Sequence, residues 1–252
     1  MRLGIIADIH SNLPALEAVL ADAGGRGLDE LWCLGDVVGY GAQPDECAAL
    51  VAEACALCLA GNHDLAVTGT LDVEAFSPAA AAGVRWTQAN AGDATLAFLR
   101  GLEPTEEGRE AALYHASPRD PVWEYVLSAA QAAECIALQA QRVALIGHSH
   151  VALHFSLPAD GAPAGAAGPR EAAGAVAGDG TVLDLRQGRW LVNPGSVGQP
   201  RDGDPRAAWL ELDTGRWRAT YHRVEYDIDR AAAAIAAAGL PDQLARRLYV
   251  GQ

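Results

Sequence analysis

At 252 residues, half of them hydrophobic, the chain is long enough for one large α/β core and does not require division into two domains. Its formal charge of -14 removes the electrostatic footprint expected of a protein that binds long nucleic acid, although a local cationic phosphate site remains compatible with it. No lysine occurs and all 18 cationic residues are arginine, which excludes both a P-loop phosphate lysine and a Schiff-base lysine.

Taken in chain order, 2–7 reads as a strand, 13–23 as a helix, 30–34 as a strand, 44–53 as a helix and 56–60 as a strand. This βαβ rhythm predicts a mostly parallel sheet with helices on its faces. The run before the first acid is too short for the core of a signal peptide, and no stretch reads as a membrane span. Cysteines 33, 47, 55, 58 and 135 are odd in number and lack a disulfide framework, which fits a reducing compartment. Cytoplasmic residence is therefore expected. Cys55 and Cys58 form a lone CxxC, read here as two ordinary buried thiols.

Helices follow at 78–90 and 93–100, a strand at 111–115, a helix at 128–140 and a strand at 142–146. From residue 151 the pattern changes to shorter strands, at 151–157, 181–187, 190–192, 207–212 and 217–223, which predict antiparallel pairings with a hairpin turn at 213–215. Helices at 228–238 and 241–248 close the chain. Within 158–180, 18 of 23 residues are Ala, Gly or Pro, so a flexible surface loop without chemistry is expected there.

Five of the seven histidines occupy four short motifs that each follow an apolar run: Asp8-Ile-His10, Gly61-Asn-His-Asp64, Tyr114-His115 and Gly147-His-Ser-His150. Gly35-Asp36 ends another such run. Open α/β sheets gather their sites at the carboxyl ends of strands, so these residues are expected to converge. Asp8 and His10 flank one residue; in an extended chain both would face one side and share a metal. His148 and His150 repeat that spacing. Asn62 supplies a neutral oxygen ligand, and Asp64 either orients His63 or caps a helix. Oxygen and nitrogen donors without thiolate suit Mn, Fe, Co or Zn. Two such ions about 3.5–4 Å apart would lower the pKa of a bridging water and neutralise charge at phosphorus. His63, which can be spared from ligation, is the candidate general acid. His154 and His222 fall outside the pattern and are assigned structural or surface roles.

In this order the motifs resemble the D-x-H, GD, GNH, H and GHxH pattern of the calcineurin-like metallophosphoesterase superfamily, in particular its small bacterial phosphodiesterase branch. The stretches at 8–20, 35–47, 61–67 and 193–206 resemble that branch as well. The resemblance implies an α/β four-layer αββα sandwich of two mixed sheets in a single domain over 1–252. It further implies a dinuclear site with Asp8, His10, Asp36 and His150 on one ion, Asp36, Asn62, His115 and His148 on the other, and Asp36 bridging. Manganese is the foremost candidate metal, with Fe, Zn, Co or Ni as alternatives. One departure stands out: Ala116 occupies a position after His115 where glycine is frequent, which narrows the backbone conformations open there.

Asn12, Asn193 and Arg201 are expected at the mouth of the site, Arg201 or Arg206 facing a substrate phosphate, with Tyr40 and Trp123 lining the cleft. The leading function is hydrolysis of a small phosphodiester by a metal-bridging hydroxide with His63 as acid; neither long nucleic acid nor a membrane is an expected partner. A phosphomonoesterase or dinucleotide polyphosphate hydrolase would use the same site. A non-catalytic scaffold of the same fold would be expected to lose ligands or the acid histidine, and here all are present.

Overall fold

The computed structural model describes residues 1–158 and 172–252. Its elements run β1 (Arg2–Ile6), α1 (Leu13–Gly24), β2 (Glu30–Cys33), α2 (Pro44–Ala54), β3 (Leu57–Cys58), α3 (Asn62–Val67), a 3-10 turn (Val73–Ala75), α4 (Pro78–Asn90), α5 (Asp93–Arg100), β4 (Thr105–Glu106), β5 (Ala112–Tyr114), α6 (Ala129–Leu138) and β6 (Val143–Ile146). They continue with β7 (Ala152–Leu157), β8 (Ala173–Val176), β9 (Val182–Asp184), β10 (Arg189–Pro194), β11 (Ala207–Asp213), β12 (Arg218–Val224), α7 (Ile228–Ala237) and α8 (Asp242–Leu248).

Two six-stranded mixed sheets result, ordered β3-β2-β1-β11-β12-β9 and β4-β5-β6-β10-β7-β8. Period-two alternation stacks them. Leu3 and Ile5 of β1 and Trp32 of β2 point to the same buried cluster as Leu113, Val143, Leu145 and Val192 of the other sheet. Their neighbours Ile6 and Cys33 turn outward onto Leu16 and Val19 of α1 and Val51 of α2. On the second sheet Ala112, Tyr114, Ala144 and Ile146 turn outward onto Ala132, Cys135 and Ile136 of α6. Strands buried on both faces read as continuous apolar runs, which is why β1, β5 and β6 were legible. The layers are thus αββα, as expected.

Two expectations need correction. The strands after residue 150 are not all antiparallel: β10 pairs parallel with β6 (Leu191 opposite Ala144) and antiparallel with β7. Its carboxyl end therefore emerges at the same edge as that of β6. Within the expected loop at 158–180, residues 159–171 lie outside the described residues, but Ala173–Val176 pair with β7 as a strand. The expected hairpin between β11 and β12 does form, with Asp213 opposite Arg218 and Trp217 left-handed (φ 49°) at the end of its turn.

Candidate metal centre and cleft

The loops that follow β1, β2, β3, β5, β6 and β10 meet at one edge of the sandwich and bond to one another. Ile9 N–H and His10 N–H donate to Asp36 O (2.8 and 2.9 Å), and His63 N–H donates to Asp36 Oδ1 (2.9 Å). His148 N–H donates to Asp8 Oδ1 and Oδ2 (3.1 Å each), and Ser196 Oγ donates to Asp8 O (2.7 Å). A Cβ on Gly61 would overlap the Asp36 carboxylate, so only glycine lets these two loops close.

The expected extended geometry of Asp8 and His10 is not what forms. Asp8 (φ 54°), His10 (50°), Asp36 (54°), His148 (64°) and His150 (59°) are all left-handed. Such φ values are uncommon outside glycine and persist where surrounding contacts over-determine them, characteristically at functional sites. The side chains converge through these turns rather than through strand alternation. Ala116 is not among the positive-φ residues, so the methyl group at that position brings no left-handed strain.

Two buried donor groups share one carboxylate: Asp8, His10, Asp36 and His150 in one, Asp36, His115 and His148 in the other, each with its ligand atoms within 4.8 Å of one another. Backbone carbonyls fix the imidazole tautomers. His10 Nδ1 donates to Val38 O (3.1 Å), His150 Nδ1 to Gln199 O (2.6 Å) and His115 Nδ1 to Leu34 O (2.9 Å). Their Nε2 atoms therefore carry lone pairs, and those of His10 and His150 face each other at 3.1 Å. His10 Nε2 also lies 3.4 Å from Asp36 Oδ2, and His115 Nε2 3.6 Å from the same oxygen. Asn62 Oδ1, 3.3 Å from His115 Nε2, adds a neutral oxygen to the second group. His148 uses Nε2 to donate to Trp123 O (3.2 Å), leaving Nδ1 for a ligand. Lone pairs brought this close repel unless a cation lies among them, so the donor set fits transition-metal ions.

The charges agree. Burial pushes the Asp8 carboxyl up, with Asp36 adding to it, and raises Asp36 itself to about 7. Burial lowers His10, His148 and His150 well below the ordinary imidazole range and His115 to about 4, so these rings are neutral bases ready to ligate.

Beside the donors lies a cleft of about 230 Å³, bounded by Asp36, Asn62, His63, His148, Tyr40 and Arg201 and by an aromatic wall. His63 makes no side-chain hydrogen bond among the described residues, and its Nδ1 is enclosed without a partner. Its ring is held instead by Tyr40 (4.4 Å between centroids), His10 (4.8 Å) and Phe76 (5.0 Å). Gly39 (φ 93°) passes so close to the ring that a Cβ there would collide with it.

The sequence model of the calcineurin-like phosphoesterase superfamily domain matches residues 1–215. The chain belongs to the calcineurin-like phosphoesterase superfamily. An uncharacterized protein of Methanocaldococcus jannaschii is 34% identical over 255 residues, spanning 99% of this chain and 98% of that protein. The crystal structure of a metallophosphoesterase from Sphaerobacter thermophilus is similar at 40% identity and a TM-score of 0.87, covering 100% of this chain and 99% of that one. A hypothetical protein from Pyrococcus horikoshii OT3 shares the fold at 18% identity, with a TM-score of 0.78 and coverage of 100% and 98%.

Against this calcineurin-like site, the remaining expected residues separate into two groups. Arg201 reaches the cleft, its Nη2 donating to Gln199 Oε1 (2.9 Å) and Tyr40 OH (3.3 Å). Tyr40 and Trp123 line the cleft. Asn12 instead caps α1 by accepting from Ala15 N–H (3.2 Å) and donates to Gly198 O (2.8 Å). Asn193 donates to Gly147 O (2.7 Å) and Ser149 Oγ (3.0 Å) and accepts from Gly195 N–H (2.9 Å). Both amides are spent on loop geometry, which corrects their placement as substrate ligands. Arg206 is paired with Asp204. Asp64 does not touch the His63 ring; its carboxylate accepts from Val37, Val38 and Gly61 N–H (3.2, 3.0 and 2.9 Å) and clasps two loops together. His154 lies beside Trp190 and His222 stacks on Trp209 at 4.4 Å, both outside the site. Sequence reasoning missed Phe76 and Tyr125 in the cleft wall and Gln199 behind His150. No motif marks them, although Trp123 and Tyr125 stand together just before a helix.

Proposed function

We propose that the protein is a metal-dependent phosphodiesterase acting on a small phosphorylated substrate. The observation that carries this reading is the pair of buried donor groups joined by Asp36, with His63 beside them and assigned to neither. Two divalent transition metals, manganese foremost with Fe, Zn, Co or Ni as alternatives, would be held by Asp8, His10, Asp36 and His150 and by Asp36, Asn62, His115 and His148. Such ions supply Lewis acidity, charge neutralisation and a water of lowered pKa.

The chain's own groups account for the rest. The Arg201 guanidinium, held by Tyr40 and Gln199, presents one positive charge to the phosphoryl oxygens, matching a diester monoanion better than a monoester dianion. His63 donates a proton to the leaving oxygen. Burial, with the Arg201 cation adding to it, holds its pKa below the ordinary imidazole range. The carbonyls of Val38, Leu34, Gln199 and Trp123 keep the ligand imidazoles in the ligating tautomer. A net charge of -14 opposes long nucleic acid, and five free cysteines accord with a reducing, cytoplasmic setting. No helix of the described residues is long and apolar enough to cross a membrane.

The test is hydrolysis of bis-p-nitrophenyl phosphate and p-nitrophenyl phosphate by chelated and manganese-reloaded protein. Chelation is expected to abolish activity and Mn to restore it, with the diester faster. A faster monoester contradicts the diesterase assignment; no hydrolysis and no bound metal would return the scaffold alternative.

A further inference from the structure

The lining of the cleft varies in chemistry. Arg201 and Tyr40 form the polar wall. A series of rings leads away from the imidazole assigned to proton delivery, which Tyr40 also touches: His63 to Phe76 at 5.0 Å (75° between planes), then Phe76 to Trp123 at 5.0 Å (62°). Tyr125, also in the lining, stacks on His148 at 4.2 Å.

Phe76 also packs against core residues, but Trp123 and Tyr125 belong to none of the hydrophobic clusters among the described residues. Core packing does not account for a half-buried indole whose ring lines a 230 Å³ cleft. Its backbone is nevertheless fixed, with Trp123 N–H donating to Asp120 Oδ1 (3.1 Å) and Trp123 O accepting from the ligand imidazole of His148. The backbone that carries the indole is thus tied to the candidate metal centre, and the ring rests edge-on against Phe76.

The general acid must lie beside the oxygen that leaves. Rings contiguous with His63 consequently face the leaving alcohol, while Arg201 faces the phosphoryl group that is retained. The geometry points to a leaving-group subsite, formed by Phe76 and Trp123, for an alcohol carrying a planar aromatic group such as a nucleoside. This deepens the phosphodiesterase reading and rests on it. In the step itself, water oxygen bonds to phosphorus and gives up one proton to solvent, the phosphorus–oxygen bond to the nucleoside-type alcohol breaks, the released oxygen takes a proton from His63, and solvent returns a proton to His63.

Adenosine 5′-(methyl phosphate) tests this directly, because its two alkoxide leaving groups are of similar basicity and binding decides which bond breaks. Manganese-loaded protein is expected to give adenosine and methyl phosphate in preference to AMP and methanol, by about 5- to 150-fold, the range that stacking of one base on one aromatic side chain supplies. Trp123→Ala is expected to bring the product ratio toward unity and Trp123→Phe to retain the bias. Calorimetric binding of adenosine alone is expected to weaken in Trp123→Ala. Methyl p-nitrophenyl phosphate, assayed on the same preparation, separates the two levels of the account. If it is not hydrolysed, the diesterase reading fails and this inference with it. If it is hydrolysed while adenosine 5′-(methyl phosphate) is cleaved without bias, mainly at methanol, or not at all, the subsite alone is overturned. It is likewise overturned by a product ratio or adenosine affinity that Trp123→Ala leaves unchanged.

Discussion

Among the described residues, seven of the eight non-glycine residues with positive φ crowd the candidate site: Asp8, His10, Ser11, Asp36, Tyr40, His148 and His150. Each such conformation costs on the order of 1–3 kcal/mol, offset by the hydrogen bonds that lock the loops together. His63 is different: among the described residues no hydrogen bond holds its imidazole, only ring contacts, so it is free to exchange a proton. His63→Ala is expected to slow diesters with alkoxide leaving groups by about 10²–10⁴-fold, the usual contribution of a general acid. Aryl esters such as bis-p-nitrophenyl phosphate should be slowed far less. Equal slowing of both, measured as kcat/KM, contradicts the assignment. At this scale the ligand types were legible as motifs. The backbone was not, because Asp8-Ile-His10 carries no sign that its aspartate and histidine are left-handed. Nor did Asn12 and Asn193 reveal that neighbouring backbone and side-chain groups would claim their amides.

Among the elements, the decisive placement is the parallel pairing of β10 with β6, which delivers the 195–201 loop to the site. Asn193, at the end of β10, ties that loop to the His148 turn through Gly147 O and Ser149 Oγ. Asn193→Ala removes both tethers and leaves the buried Gly195 N–H without the Oδ1 that accepts from it, so a loss of about 1–3 kcal/mol is expected in urea unfolding, with weakened metal binding. Stability and metal affinity both unchanged would show the tether to be dispensable. The strands β1, β2, β5 and β6 were legible because burial on both faces makes them continuous apolar runs. Two-residue β4 and the Ala/Gly-rich β8, wholly exposed, have too little pattern to read. Their pairing is decided by neighbouring strands. The parallel direction of β10 depends likewise on distant β6.

For the whole molecule, burial of the site makes stability depend on pH. Five imidazoles, His10, His63, His115, His148 and His150, are lowered by burial, which removes stability as pH falls below their ordinary value of 6.5. Three carboxyls, Asp8, Asp36 and Asp64, are raised by burial, Asp36 and Asp64 to about 7, which removes stability as pH rises through 7. Below pH 6.5 the unfolded chain binds more protons than the folded one, and above it fewer. The Tm of the chelated protein should therefore peak near pH 6.5. Saturating Mn should raise it most above pH 7, where the ion takes the place of the carboxyl protons. A Tm of the chelated protein that climbs steadily to pH 8 contradicts this balance.

The central claim is a dinuclear centre joined through one carboxylate, and metal content measures it most directly. Chelated protein reloaded with Mn and freed of excess ion should retain two equivalents per chain, and Asp36→Asn, equal in size but without the bridging charge, should lose both together. Retention of a single equivalent by the unaltered protein, or of two by Asp36→Asn, would contradict the account.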